Sequence, residues 1–359
     1  MFKSFINEIE RVKRDSIYAT TLLVLPIFAL IFFVCFFSKS GIKNLPIALL
    51  DNDKSSLSRR VAEMIDSTAA VEIVFSVESS HEGLELILDG KAYAVVVIPD
   101  NFENNCLSGN TTHIELYNTG TNISTNGFIE RDIQTVATTF GAGVAIEYLQ
   151  AAGELYNKAL ATVMPIRIAE HTLFNPYMNY AYYLAPCFMA MMVVIFTLIT
   201  TIYALYGSKI TSVAKLVATC LPVTVTMSVL SAIMLFILFG VIGVPLRGSI
   251  TVIALANAML ILSYQAVAIL FVGIFGSLHT ALSLGGGYSV IAFTFSGFTF
   301  PVMAMAVVLQ IFSHLFPFTY YMNIFIDQAM RGAEWYISLS DLGYMMLFLT
   351  LPLFVYRRL

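Results

Sequence analysis

The second half of this chain has almost no charge. Residues 181–359 carry nine Asp, Glu, Lys or Arg side chains: Lys209, Lys215, Arg247, Asp327, Arg331, Glu334, Asp341, Arg357 and Arg358. So sparse a supply of charge cannot solvate half a protein, which excludes an ordinary soluble domain there. Cysteine is scarce too. Cys35, Cys187 and Cys220 lie in apolar runs, leaving Cys106 alone in the polar part. That excludes a disulfide framework, and the spacing excludes a zinc site. The five histidines are scattered. No Gly-x-x-x-x-Gly-Lys-Ser/Thr occurs, and Gly207-Ser208-Lys209 lacks the upstream glycine, so the chain does not bind ATP through a P-loop of its own. The absence of His-Glu-x-x-His and Gly-x-Ser-x-Gly removes two hydrolase classes, so no catalytic residue is expected. Basic patches interleaved with aromatics are missing, which argues against a nucleic-acid partner.

What is there is apolar. Hydrophobic residues make up 58% of the 359, enough for several membrane spans. We read six, at about 17–37, 182–206, 216–241, 251–275, 282–305 and 340–356. The first follows a basic stretch (Lys3, Arg11, Lys13, Arg14) and could be mistaken for a signal peptide. At about 21 residues it exceeds the roughly 7–15 of a signal core, and Ser38-Lys39-Ser40-Gly41 offers no small-x-small cleavage site. Basic residues flank alternate span ends: the N-terminal group, Lys209 with Lys215, and Arg357-Arg358. The positive-inside bias therefore puts both termini on the cytoplasmic side and residues 38–181 outside.

That insert reads as a small α/β domain. Leu45–Leu50, Val71–Val77, Tyr93–Ile98 and Thr112–Tyr117 have strand character, with helical stretches from Ser55 or Ser56 to Ser67 and over Glu82–Leu88. Ile129, Ile133, Val136, Phe140 and Val144 repeat at helical steps, predicting one long helix from Ser124 to Met164 stopped by Pro165. Gly141 and Gly143 interrupt it and mark a kink or a close helix contact. The fold class is thus an α-helical integral membrane protein with six transmembrane helices and an inserted α/β extracytoplasmic domain. Its parts are a cytoplasmic interfacial helix (1–16), the first span (17–37), the α/β domain with its long helix (38–181) and a five-span membrane domain (182–359).

Four stretches carry a resemblance. Residues 2–14 are amphipathic, with Phe2, Phe5, Ile6, Ile9 and Val12 on one face and Lys3, Asn7, Glu10, Arg11 and Arg14 on the other. Leu45–Arg59 reads as strand, turn and helix. Phe174-Asn175-Pro176, then Tyr182–Pro186, places two prolines at the entry to span two, with Cys187 where a glycine is usual. Ser296–Pro301, Leu315–Tyr321 and Arg331-Gly332 follow span five. In order and spacing these are similar to the membrane subunits of type 2 ABC exporters (ABC-2 type permeases) with a large domain between spans one and two.

The resemblance implies two membrane subunits in a bacterial inner membrane, a homodimer or a heterodimer with a sister permease, working with cytoplasmic P-loop ATPase subunits. ATP and Mg would then sit on the partner ATPase, with no cofactor in this chain. It implies ATPase coupling through the 207–215 loop, with Lys209 and Lys215, and through Arg11, Lys13 and Arg14. It further implies an Asn175, Pro176, Pro186 entry motif and a segment near 301–325 that re-enters the membrane, with Gly297, Pro301, Pro317, Asp327 and Arg331 at an exit gate. Asp327 and Arg331, four apart, are also placed to pair. A periplasmic adaptor is a further partner by analogy. The apolar, aromatic spans favour an amphipathic, drug-like or lipid-like substrate. The competing expectation is a non-ABC membrane sensor or assembly factor whose extracytoplasmic domain binds a ligand or protein.

Overall fold

The computed structural model describes residues 2–37, 43–166, 171, 173–175, 179–298 and 300–356. The chain divides into two units, Met1–Ser40 with Thr172–Leu359, and Gly41–His171.

In the first unit, five helices among the described residues are long and apolar enough to cross a membrane: Ser16–Phe37, Ala181–Tyr206, Val213–Ile242, Ile250–Ile274 and Trp335–Val355. Here they are the first, second, third, fourth and last spans. The second and fourth are largely buried, whereas the first and last leave most of their surface outward. The second span is the hub, because small residues let its neighbours approach. A Cβ built at Gly285, on helix Leu278–Phe295, would meet Leu198 Cδ2 at 2.3 Å, so any larger residue there would force Leu198 to move. Gly273 similarly lets Val355 of the last span lie against the fourth, its built Cβ falling 2.4 Å from Val355 Cβ.

The expected span over 282–305 is corrected. Its helix runs Leu278–Phe295 and ends ten residues early. Gly297 then adopts φ +84°, a left-handed conformation that cannot continue a right-handed helix. Beyond it come a 3-10 turn Val302–Ala304 and two short helices, Val307–Ser313 and Pro317–Phe325.

The second unit is a four-stranded sheet of β1 (Leu45–Asp51), β2 (Val71–Ser76), β3 (Ala94–Ile98) and β4 (Glu115–Asn118) in the order β2-β1-β3-β4. β1 pairs parallel with β2 and β3, and β4 is antiparallel to β3. Every residue of β3 is buried, as its unbroken Ala-Val-Val-Val-Ile run requires of a strand covered on both faces. One face packs Ile47, Leu49 and Val96 against helices Ser56–Asp66 and Ile123–Ala151, through Val61, Ile65, Ile129 and Ile133. The other packs Ala48, Leu50, Val95 and Val97 against Leu86 and Ile87 of helix Ser80–Leu88.

Two expectations change here. The long helix ends at Ala151, and a second short helix, Tyr156–Val163, follows; Gly153 at φ +91° separates them. It runs unbroken through Gly141 and Gly143. The helix Phe102–Leu107 has no counterpart in the strand and helix pattern read from the sequence.

Candidate functional site

The amphipathic N-terminal helix forms as its pattern predicts, Phe2–Arg14, but one polar residue points the other way. Arg11, expected on the solvent face, turns inward. Its Nη1 donates to the carbonyl of Ala204 at 2.8 Å, to Ser208 Oγ at 2.9 Å and to Glu8 Oε1 at 3.0 Å. Its Nη2 donates to the carbonyl of Tyr203 at 3.3 Å. The reason is the end of the second span. Carbonyls in its last turn run short of partners, Tyr203 O keeping a 3.3 Å bond from the Gly207 N–H, and carry the negative end of the helix dipole. A planar guanidinium with several donors meets two of them at once.

Two neighbours complete the arrangement. Glu8 is 6% exposed and also accepts from Ser208 Oγ at 3.3 Å. Burial holds its carboxyl above the usual carboxylate range, against the opposing pull of Arg11, Ser208, Tyr18 and Lys215. Gly207 leaves the space that the guanidinium occupies: a Cβ there would fall 1.7 Å from Arg11 Nη2. Glu8 did not stand out in the sequence, and Gly207 did so only as the start of the 207–215 loop. The i, i+3 spacing of Glu8 and Arg11 was the available signal.

Asp15 joins the same cluster from the start of the first span. Its Oδ1 accepts from the backbone N–H groups of Ile17 (3.0 Å) and Tyr18 (3.1 Å), capping the helix. Its Oδ2 accepts from the Tyr203 hydroxyl at 2.8 Å. The bond from the Tyr18 N–H and that from the Tyr203 hydroxyl hold the Asp15 carboxyl below its usual range. Arg11 Cζ also lies 5.2 Å from the centre of the fully buried Tyr18 ring.

Lys13, Arg14 and Lys209 are exposed around this cluster. Lys215 is half-buried in the first turn of the third span, whose N-terminus is capped by Ser212 accepting from the Lys215 N–H at 3.2 Å. The structure therefore brings the basic N-terminal segment beside the turn that carries Lys209, nearly 200 residues away in sequence.

The second expected group lies on the broken segment. Gly297 and Pro301 bracket the turn, and a Cβ at Gly297 would meet Val302 Cγ2 at 2.7 Å. Pro317 occupies the first turn of its helix, where a missing N–H costs nothing. Between the two short helices, side chains supply donors to three carbonyls, of which Ser313 O also accepts from the Phe316 N–H at 3.3 Å. Thr319 Oγ1 donates to Ser313 O (2.8 Å), Tyr320 to His314 O (3.1 Å) and Tyr288 to Leu315 O (2.9 Å). Such internal satisfaction is what non-helical backbone needs at membrane depth. Arg331 pairs with Asp327 at 2.8 Å.

Between Asp327 and Arg331, sequence reasoning missed Gln328, which is fully buried. Its Oε1 accepts from Ser249 N (3.0 Å), its Nε2 donates to Ser338 Oγ (3.0 Å), and its carbonyl accepts from Gly248 N (2.7 Å). It joins the loop before the fourth span to the start of the last one.

A family model described as an ABC-2 family transporter protein matches residues 16–355. The chain belongs to this family. It is thus an ABC-2 permease, a multi-pass membrane component of an ABC transporter, and not itself the catalytic chain. Membership implies association with cytoplasmic ATPase subunits. No curated protein and no solved structure matches the chain significantly.

In this ABC-2 permease, Asn175 forms a reciprocal clamp with Asn179: the Asn175 amide donates to the Asn179 carbonyl at 3.0 Å, and the Asn179 N–H donates to Asn175 Oδ1 at 2.9 Å. Asn179 Oδ1 then accepts from the Ala181 N–H at 2.9 Å and caps the helix. Pro176 lies outside the described residues. Pro186 lies inside helix Tyr180–Tyr206, which runs through it one hydrogen bond short. An apolar groove of about 320 Å³ opens between the first span, the second and helix Leu278–Phe295, lined among others by Phe33, Phe188, Met192 and Phe293.

Proposed function

We propose that this ABC-2 permease is the membrane subunit of an ATP-driven exporter, working as a dimer with a second copy or a sister permease. Separate cytoplasmic ATPases bind the ATP and Mg²⁺ and hydrolyse the nucleotide. The observation that carries the reading is the joining by Arg11 of the N-terminal helix, which bears Lys13, to the 203–208 turn, which leads into Lys209 and Lys215. We take these lysines as one basic face. On the positive-inside bias that face is cytoplasmic, so an ATPase docks there. Movement imposed on Lys209 or on the N-terminal helix then reaches the second span directly, because Arg11 grips its terminal carbonyls. The second span in turn touches four other membrane helices.

The finer topology follows. Helix Leu278–Phe295 with the turn behind it supplies a sixth crossing, and residues 301–325 form the re-entrant element that ends beside Asp327 and Arg331. The α/β unit lies outside the bacterial cytoplasmic membrane, where it gates exit or docks a periplasmic adaptor. The 320 Å³ apolar groove is part of the pathway for an amphipathic, drug-like or lipid-like substrate.

The test is co-purification. A tagged full-length chain expressed in its own host brings down a P-loop ATPase, and charge reversal at Lys209 and Lys215 releases it. No ATPase in the wild-type preparation, or equal recovery with the reversed charges, contradicts the proposal.

A further inference from the structure

An open cleft of about 780 Å³ lies at the junction of the N-terminal helix and the first turn of the first span. Asn7, Glu10, Arg11, Arg14, Asp15, Ser16 and Ile17 line it. Two carboxylates and two guanidiniums make its formal charge zero. Two of these four are already engaged: Arg11 on the carbonyls of Tyr203 and Ala204, and Asp15 on two backbone N–H groups and Tyr203. That leaves Glu10 and Arg14. They stand four apart, a spacing that favours an ion pair, yet no ion pair joins them among the described residues. Asn7 lies on the same helix face, three before Glu10.

Next to this pair sits Ile17, an apolar side chain 60% exposed. If Ser16–Phe37 crosses the membrane, the cleft opens where headgroups meet acyl chains. A ligand there meets one anionic group, one cationic group and an apolar edge. We propose that this cleft binds a phospholipid with a zwitterionic, primary-amine headgroup, its phosphate on Arg14 and Asn7 and its ammonium on Glu10. An anionic headgroup without an amine leaves Glu10 unmatched and repelled. A quaternary ammonium cannot donate to Glu10, and among the described residues no aromatic side chain lines the cleft to hold it. Binding of this kind requires the first helix to span the membrane and is independent of ATPase coupling.

The experiment uses the purified full-length chain in detergent. Phosphatidylethanolamine, phosphatidylcholine and phosphatidylglycerol of identical acyl chains are offered at equal concentration, and retained lipid is counted by native mass spectrometry. Exposed charged contacts of this kind give a modest preference, roughly three- to fivefold, for phosphatidylethanolamine. Glu10→Gln and Arg14→Gln should each bring the ratios to parity, and the double exchange Glu10→Arg with Arg14→Glu should restore part of the preference. A second measurement needs no variant: in the series from primary amine through mono- and dimethylated headgroups to choline, wild-type binding falls stepwise. The proposal is overturned if phosphatidylglycerol binds as well as phosphatidylethanolamine, or if methylation has no effect. It is equally overturned if folded variants keep the preference while losing a co-purifying ATPase, which would make the cleft a protein-docking surface.

Discussion

Arg11 Nη1 lies 2.8 Å from the carbonyl oxygen of Ala204, joining residues 193 apart in the chain. The bond falls where the second span runs out of internal partners. It ties an interfacial helix to the end of the most buried of the membrane-length helices. Removing it should be felt as both lost capping and an uncompensated buried carboxylate. Arg11→Ala leaves the buried Glu8 with its Ser208 hydrogen bond but without its charge partner, and should cost up to roughly 3 kcal/mol, the lower end for one-sided removal of a buried ion pair. Arg11→Lys keeps the charge but loses the planar fork, and should cost about half as much. Thermal unfolding of the detergent-solubilised protein measures both.

Gly207 and Arg11 occupy one site. A methyl group at Gly207 would displace the guanidinium from the position it fills, 1.7 Å from the built Cβ. Gly207→Ala should therefore reproduce much of the Arg11→Ala loss. The double variant should be little worse than either single one, with a coupling energy of about 1–3 kcal/mol in a double-mutant cycle. Additive losses would mean that the glycine serves something other than the guanidinium.

Three consecutive glycines in helix Leu278–Phe295 should behave differently. Gly285 faces Leu198 and Ile202 closely, whereas a Cβ at Gly286 or Gly287 meets nothing within 4 Å. Gly285→Ala should destabilise by about 1–3 kcal/mol through overpacking. Gly286→Ala should be neutral or stabilising by up to about 1 kcal/mol, since alanine favours the helix. Paired melting curves decide it.

The two carboxylates of the cluster should give opposite pH dependence. Burial raises the Glu8 pKa, so its contribution is full below the unfolded value of about 4.3 and is lost as pH rises through the folded one. Hydrogen bonds lower the Asp15 pKa, so its contribution is present above about 3.9 and is lost as pH falls through the folded one. Melting temperatures taken between pH 3 and 7 should show Glu8→Gln removing the first slope and Asp15→Asn the second.

The spans were legible because a run of about 20 apolar residues is the length a bilayer core demands, and soluble cores rarely need one. Ile17–Phe37, 182–206 and 251–275 coincide with helices Ser16–Phe37, Ala181–Tyr206 and Ile250–Ile274 to within a residue. The run at 282–305 misled because hydropathy does not register the left-handed Gly297. Gly153 escaped for the same reason, since helical periodicity resumes after it. The strands were legible in different ways: β3 from its unbroken Ala-Val-Val-Val-Ile run, β2 from its alternating β-branched residues and β1 from the apolar run Leu45–Leu50. Arg11 was singled out as a basic residue, but its inward turn depends on carbonyls almost 200 residues away. Gln328 carried no signal, because its partners come from the loop before the fourth span and from Ser338.

The central claim is that ATPase work enters through the Arg11-linked face. Its most direct measurement is ATP hydrolysis by the co-purified ATPase in proteoliposomes, together with export of a substrate from them, for wild type and Gly207→Ala. The account predicts that the variant still binds the ATPase and still hydrolyses ATP, but that export per ATP falls several-fold. Unchanged export per ATP in a variant whose Arg11 has been displaced would contradict it.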